Sequence, residues 1–167
     1  EDYLMDKWGV ADLVPTEPEP EDGLLAYYKF EPNLPKLIAD SSGNGHDGTL
    51  INGPTQAQGK LGGALSFDGV NDQVNVPPTA HATGPEVTIA FWSYGGNSLP
   101  KDTTVMESGN GNRALNIHFP WDNGRIYWDA GSNNNYDRLD KQANPSDYKG
   151  SWQHWAFTKN QISGSMK

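Results

Sequence analysis

The stretch EVTIAFWSY (86–94) alternates residue by residue, with Val87, Ile89 and Phe91 on one side and Thr88, Ala90 and Trp92 on the other. A period of two belongs to a strand with one buried face, and a helix would scatter the same six side chains around its axis. Similar short runs recur along the chain: LLAYYKF (24–30), DGTLIN (47–52), GALSFDG (63–69), DQVNVPP (72–78), TTVMES (103–108), RALNIHF (113–119), RIYWDA (125–130) and WQHWAFTK (152–159). Gly, Asn, Asp and Pro separate them. Strands this short and this regularly spaced predict an all-β, antiparallel β-sandwich. WDNG (121–124) marks a hairpin between two aromatic-rich strands, since Asn-Gly suits a turn that needs a positive φ.

Only the beginning of the chain departs from this texture. In EDYLMDKWGV (1–10), Leu4, Met5 and Trp8 share a helical face and Gly9 would end it, so a short helical segment is expected within 1–13. Alone it is too short to be stable in water. VPTEPEPEDG (14–23) holds three prolines and four acids, which predicts a stiff, solvated linker over 14–22 and places the sandwich in 23–167. The 167 residues suit one domain plus a tail, with enough chain to bury a core. A chain that starts at Glu1 with no visible signal peptide is expected to be a piece of something longer or a processed product. No apolar run nears eighteen residues, so no membrane insertion is expected. With no cysteine there are neither disulfides nor thiolate metal sites. A net charge of −9 makes nucleic acid and anionic membranes poor partners and leaves divalent cations and neutral polymers as better ones.

Three stretches carry candidate chemistry. ADSSGNGHDG (39–48) sets oxygen-bearing side chains at Asp40, Ser42 and Asn44 ahead of Gly45, the opening of a calcium loop. Its twelfth position is Ile51 instead of a bidentate Glu, so it is not an EF-hand. The same spacing also fits a plain glycine-supported turn. FDGVND (67–72) raises the same pair of readings at Asp68, Asn71 and Asp72, with Phe67 expected in the core. FPWDNGRIYWDAGSNNNYDRLD (119–140) is the most ligand-like. Sugar rings stack on Trp and Tyr while their hydroxyls pair with Asp, Asn and Arg, which makes Trp121, Asp122, Asn123, Arg125, Tyr127, Asp129 and Tyr136 the candidate ligand-binding set. Along the strand from Arg125, Trp128 shares a face with Ile126 and should be core, leaving Tyr127 the more exposed aromatic. Asp137 and Asp140 read as part of a polar loop. Trp92, Trp155 and Phe157 read as core, and His154 as a structural histidine.

The order GLLAYYKFE, IADSSGNGHDGTL, GKLGGALSFDGVNDQVNVP, VTIAFW and WQHWAFTKN resembles the laminin-G-like group of concanavalin A-like domains, in the bacterial branch found in large secreted or surface proteins. The resemblance spans about 23–167 and implies a jelly-roll sandwich. Relatives normally continue past SGSMK with further strands, so it also implies either a fragment or an incomplete sandwich, whose open edge is expected to be covered by self-association with a second copy or by the Leu4–Met5–Trp8 segment. The segment EDYLMDKWGV is similar to the last helix of dockerin-type calcium repeats. The fold also hosts glucanases that use E-x-D-x-x-E on one strand. After the linker the only glutamates are Glu31, Glu86 and Glu107, and none starts that pattern. The expected function is therefore a non-catalytic module of a secreted, multidomain bacterial protein that binds a glycan or a cell-surface protein, with calcium as a candidate cofactor. The alternatives are a structural spacer and a fragment of a glycoside hydrolase.

Overall fold

The computed structural model describes residues 23–31, 36–81, 84–108, 114–132 and 135–167. The expected helical segment and the Pro-rich linker, both within 1–22, lie outside the described residues. Among the described residues twelve strands follow one another: β1 Leu37–Ile38, β2 Gly48–Ile51, β3 Thr55–Gln58, β4 Gly63–Ser66, β5 Gln73–Asn75, β6 Glu86–Tyr94, β7 Thr104–Ser108, β8 Leu115–His118, β9 Arg125–Ser132, β10 Asn135–Gln142, β11 Trp152–Asn160 and β12 Ser165–Met166. A 3-10 turn at Pro78–Ala80 and a one-turn helix, α1, at Pro145–Tyr148 complete the order. Among the described residues no helix is long and apolar enough to cross a membrane.

Two antiparallel sheets enclose the core. One runs β10-β9-β8-β7 and the other β12-β11-β6, while β1-β2-β5 and the β3–β4 hairpin form smaller sheets. Period-two alternation delivers one face of each large sheet inward. Leu115 and Ile117 of β8 and Ile126, Trp128 and Ala130 of β9 are buried against Phe157 of β11, and Val87, Ile89 and Phe91 of β6 pack on them. The rings interlock across the gap: Phe91 stacks on Phe157 at 5.9 Å, Trp128 meets Phe157 at 6.0 Å, and Phe119 meets Trp155 edge-on at 4.8 Å. At the rim of this core, Lys159 of β11 pairs with Asp137 of β10 and ties the two sheets together.

Several expectations need correction. LLAYYKF makes only an isolated bridge, Tyr28 to Asp40, because no neighbouring strand extends the ladder. Phe67 is 50% exposed and Trp92 is 42% exposed, so neither is core. Trp92 instead lies on the outer face of β6, beside His154 at 5.1 Å and under the Lys60 ammonium, and Tyr94 meets Trp152 next to it. Asp137 and Asp140 belong to strand β10, held in register by β9 from Asn135↔Ser132 to Gln142↔Arg125, and not to a loop.

Candidate ligand-binding face

Because Ile117 and Trp128 face each other on the core side of β8 and β9, the residues on either side of them point outward. Strand register then assembles the outer surface. Glu107, Asn116, Asp129 and Arg138 form one cross-strand row, and Thr104, His118, Tyr127 and Asp140 form the next. At the end of β9, Arg125 stands opposite Gln142. The β8–β9 hairpin brings Trp121 beside these rows: the Gly124 amide donates to the Trp121 carbonyl at 2.8 Å, and the Trp121 amide donates to the Arg125 carbonyl at 2.8 Å. Gly124 takes φ +75°, the left-handed region that favours glycine, and a Cβ there would meet only the flexible end of Gln142.

Five planar groups run across this face in sequence. The Trp121 indole meets the His118 ring at 4.4 Å, and His118 meets Tyr127 edge-on at 6.2 Å. The Arg138 guanidinium lies 4.7 Å from the Tyr127 centroid and 5.3 Å from that of Tyr136. Polar contacts fix their orientation. Arg138 donates from Nε and Nη2 to the two carboxylate oxygens of Asp129 at 2.6 and 2.7 Å, and Asp129 is 0% exposed. The hydrogen bond to Asp129 raises the pKa of Arg138 above its ordinary value, against the opposing effect of burial. Arg125 pairs with Asp140 through one oxygen only: its Nε and Nη2 both donate to Oδ1, the Nε at 2.6 Å. The Asn123 amide donates to the Tyr127 hydroxyl at 2.8 Å, and its oxygen accepts from the Arg125 amide at 3.0 Å. His118 Nε2 lies 3.1 Å from the Asn116 amide nitrogen, which can only donate, so Nε2 accepts and the ring proton sits on Nδ1, toward the Thr103 carbonyl and the Thr104 hydroxyl.

Of the sequence-derived set, Trp121, Asn123, Arg125, Tyr127, Asp129 and Tyr136 thus converge on one surface, with Asp122 exposed at the hairpin turn. Asp129 stands apart from the rest: its carboxylate is buried and holds Arg138. Sequence reasoning missed His118, Arg138, Asp140 and Gln142. The alternation in NIH and YDRLDKQ carried them, but only strand register shows which ones lie beside Tyr127.

The two candidate cation loops are built differently from a metal cage. Asp40 Oδ1 accepts from the Tyr27 and Ser42 amides, both at 2.9 Å, and Oδ2 from the Ser42 hydroxyl at 2.7 Å and the His46 amide at 3.0 Å. Asn44 donates its side-chain amide to the carbonyls of Leu24 and Leu25, and His46 Nδ1 lies 2.8 Å from the Leu25 carbonyl. The loop therefore clamps the segment after Gly23 through donors, where a cation would need free oxygens. In the second loop Asp68 accepts from the Val70 amide at 2.8 Å, Asp72 accepts from the Asp68 amide at 3.0 Å, and the Asn71 carbonyl accepts from Asn52. Among the described residues no three His, Cys, Asp or Glu gather to hold a metal. Millimolar calcium, compared with excess chelator, is expected to leave the Tm unchanged. A rise of several degrees would restore calcium as a ligand of the folded state.

The family model for the concanavalin A-like lectin/glucanases superfamily, in its laminin-G-like form, matches residues 68–167. The resemblance of EDYLMDKWGV to a dockerin repeat finds no support, and that segment lies outside the described residues. A crystal structure of a segment of an S-layer domain-containing protein from Clostridium thermocellum is similar, with a TM-score of 0.56 and 24% sequence identity over 71% of this chain and 57% of that one. This chain thus spans little more than half the length of that neighbour, and the likeness is one of fold. No curated protein is recognisably similar.

Proposed function

We propose, for a chain that belongs to the concanavalin A-like lectin/glucanase superfamily, a non-catalytic module of a secreted or surface protein that holds glycans on the outer face of the β7–β10 sheet. The observation that carries this reading is the run of planar groups from Trp121 through His118, Tyr127 and Arg138 to Tyr136 on one surface. Sugar rings present apolar faces to such groups, and their hydroxyls find Asn123, Asp140 and Gln142 at the margin. Against catalysis stands the state of the carboxylates. A general acid or base must be free to exchange a proton with the substrate. Asp129 is buried under Arg138, which leaves Glu107 without an acidic partner in its cross-strand row.

Glycan-array screening followed by titration calorimetry tests the proposal. Trp121→Ala, with the fold confirmed by circular dichroism, is expected to weaken binding at least tenfold, about 1.4 kcal/mol. Binding that survives the substitution unchanged would move the site elsewhere. Absence of any glycan ligand would favour the spacer or a cell-surface protein partner, and release of reducing ends by the pure domain would establish a hydrolase. Self-association belongs to the same proposal, since among the described residues β7 and β10 each have one neighbour in their sheet. Light scattering on the same samples reads it, and a monomer at every concentration counts against it.

A further inference from the structure

We infer that the glycan held on this face is uncharged; the inference rests on the binding reading above and narrows it to a ligand class. Both arginines of the described face are already neutralised by a carboxylate in fixed geometry, Arg138 by Asp129 and Arg125 by Asp140. A uronate or sulfate group gains no net counter-charge from either arginine unless it draws that arginine away from its carboxylate. Taking Arg138 would leave Asp129, which has no exposed surface, without its bidentate counter-charge, and breaking a buried pair is strongly unfavourable. The charge outside these pairs is negative, with Glu107 and Asp122 both exposed, and it lies on a chain of net charge −9. An acidic polymer is repelled at long range and, among the described residues of this face, meets no arginine outside these two pairs.

A cationic sugar fares no better. Its ammonium would seek the face of an aromatic ring. Arg138 already lies over Tyr127 and Tyr136, so the ring faces an ammonium would seek there are covered. A hydroxyl meets neither obstacle, because it both donates and accepts. It can give its proton to an Asp140 oxygen and accept from the guanidinium N–H groups of Arg138 that do not point at Asp129. The ligand itself carries no charge and meets ion pairs that are already balanced, so affinity should hardly respond to salt.

Affinity electrophoresis and calorimetry with defined polymers test this: xyloglucan, mannan and mixed-linkage glucan as neutral ligands, polygalacturonate and heparin as acidic ones, and chitosan as the cationic one, each in low and high sodium chloride. The expected result is binding to at least one neutral polymer, with a Kd that changes less than twofold between the two salt conditions, and none to the charged polymers. Binding of an acidic or cationic polymer that Trp121→Ala abolishes would overturn the inference while leaving the site in place. Failure of all six polymers to bind would remove the binding reading and the inference together.

Discussion

Trp128→Ala should cost the folded domain about 4 kcal/mol, the scale of a large ring removed from a packed core. Trp128 is 1% exposed and stands where the two sheets meet, with Phe157 packed against its ring and its Nε1–H donating to the Thr158 carbonyl at 3.0 Å. That carbonyl also accepts from the Lys167 amide, so it is not orphaned by the change. The loss is therefore one of packing: a cavity between Ile117 and Phe157 that the rigid strands on either side cannot close. Total stability of such a domain is on the order of 5–15 kcal/mol, so the variant should unfold at far lower denaturant. Trp92→Ala is the control. Its ring is 42% exposed on the outer face of β6, and its removal should cost less than about 1 kcal/mol. Urea titrations of the two variants check the contrast, and equal losses would mean that the core has been placed between the wrong faces.

The same two tryptophans show how far the sequence could be read. Alternation alone separated Trp128 from Tyr127 correctly, because the partners Ile126 and Ala130 share the parity of Trp128 and both are buried. For Trp92 the alternation also gave the right face, opposite Phe91, and only the habit of burying tryptophan pointed inward. Strand β10 escaped notice for a different reason. NYDRLDKQ is charged or polar at most positions, and it becomes a strand through its eight-residue pairing with β9. As an edge strand it can carry charges on both faces. Arg138, the centre of the candidate face, is therefore legible in composition but not in role. Its partner Asp129 is nine residues away, and whether they meet depends on a hairpin register that sequence patterns specify poorly. LLAYYKF failed in the opposite direction. Its apolar content suits a strand, yet beyond the Tyr28 bridge it is held by the side chains of the 40–46 turn and makes no ladder.

That turn supplies the second large effect, and its pH dependence is distinctive. Burial by itself would raise the Asp40 pKa; the amides of Tyr27, Ser42 and His46 and the Ser42 hydroxyl outweigh it and lower the value from 3.8 to about 2. The nearby Tyr28 phenol is pushed up to about 12, by burial first and then by Asp40 and Asp47, and donates to the His46 carbonyl. A carboxylate whose folded pKa is depressed stabilises the fold in full above its unfolded pKa, and that contribution fades as pH falls through the folded value. The window for Asp40 therefore runs from about pH 4 down to about pH 2. In Asp40→Asn one acceptor oxygen becomes an amide that faces donors, either the Tyr27 and Ser42 amides or the Ser42 hydroxyl and the His46 amide. The substitution should cost about 2 kcal/mol at pH 7, on the scale of one carboxylate held this far below its usual pKa. Because protonation removes the same charge from the native protein, the two stabilities should draw together toward pH 2. Urea unfolding at pH 7, 4 and 2 measures the gap at each point. A gap that stays constant across that range would show that Asp40 contributes through shape and not through its charge, and the clamp on the segment after Gly23 would need another cause.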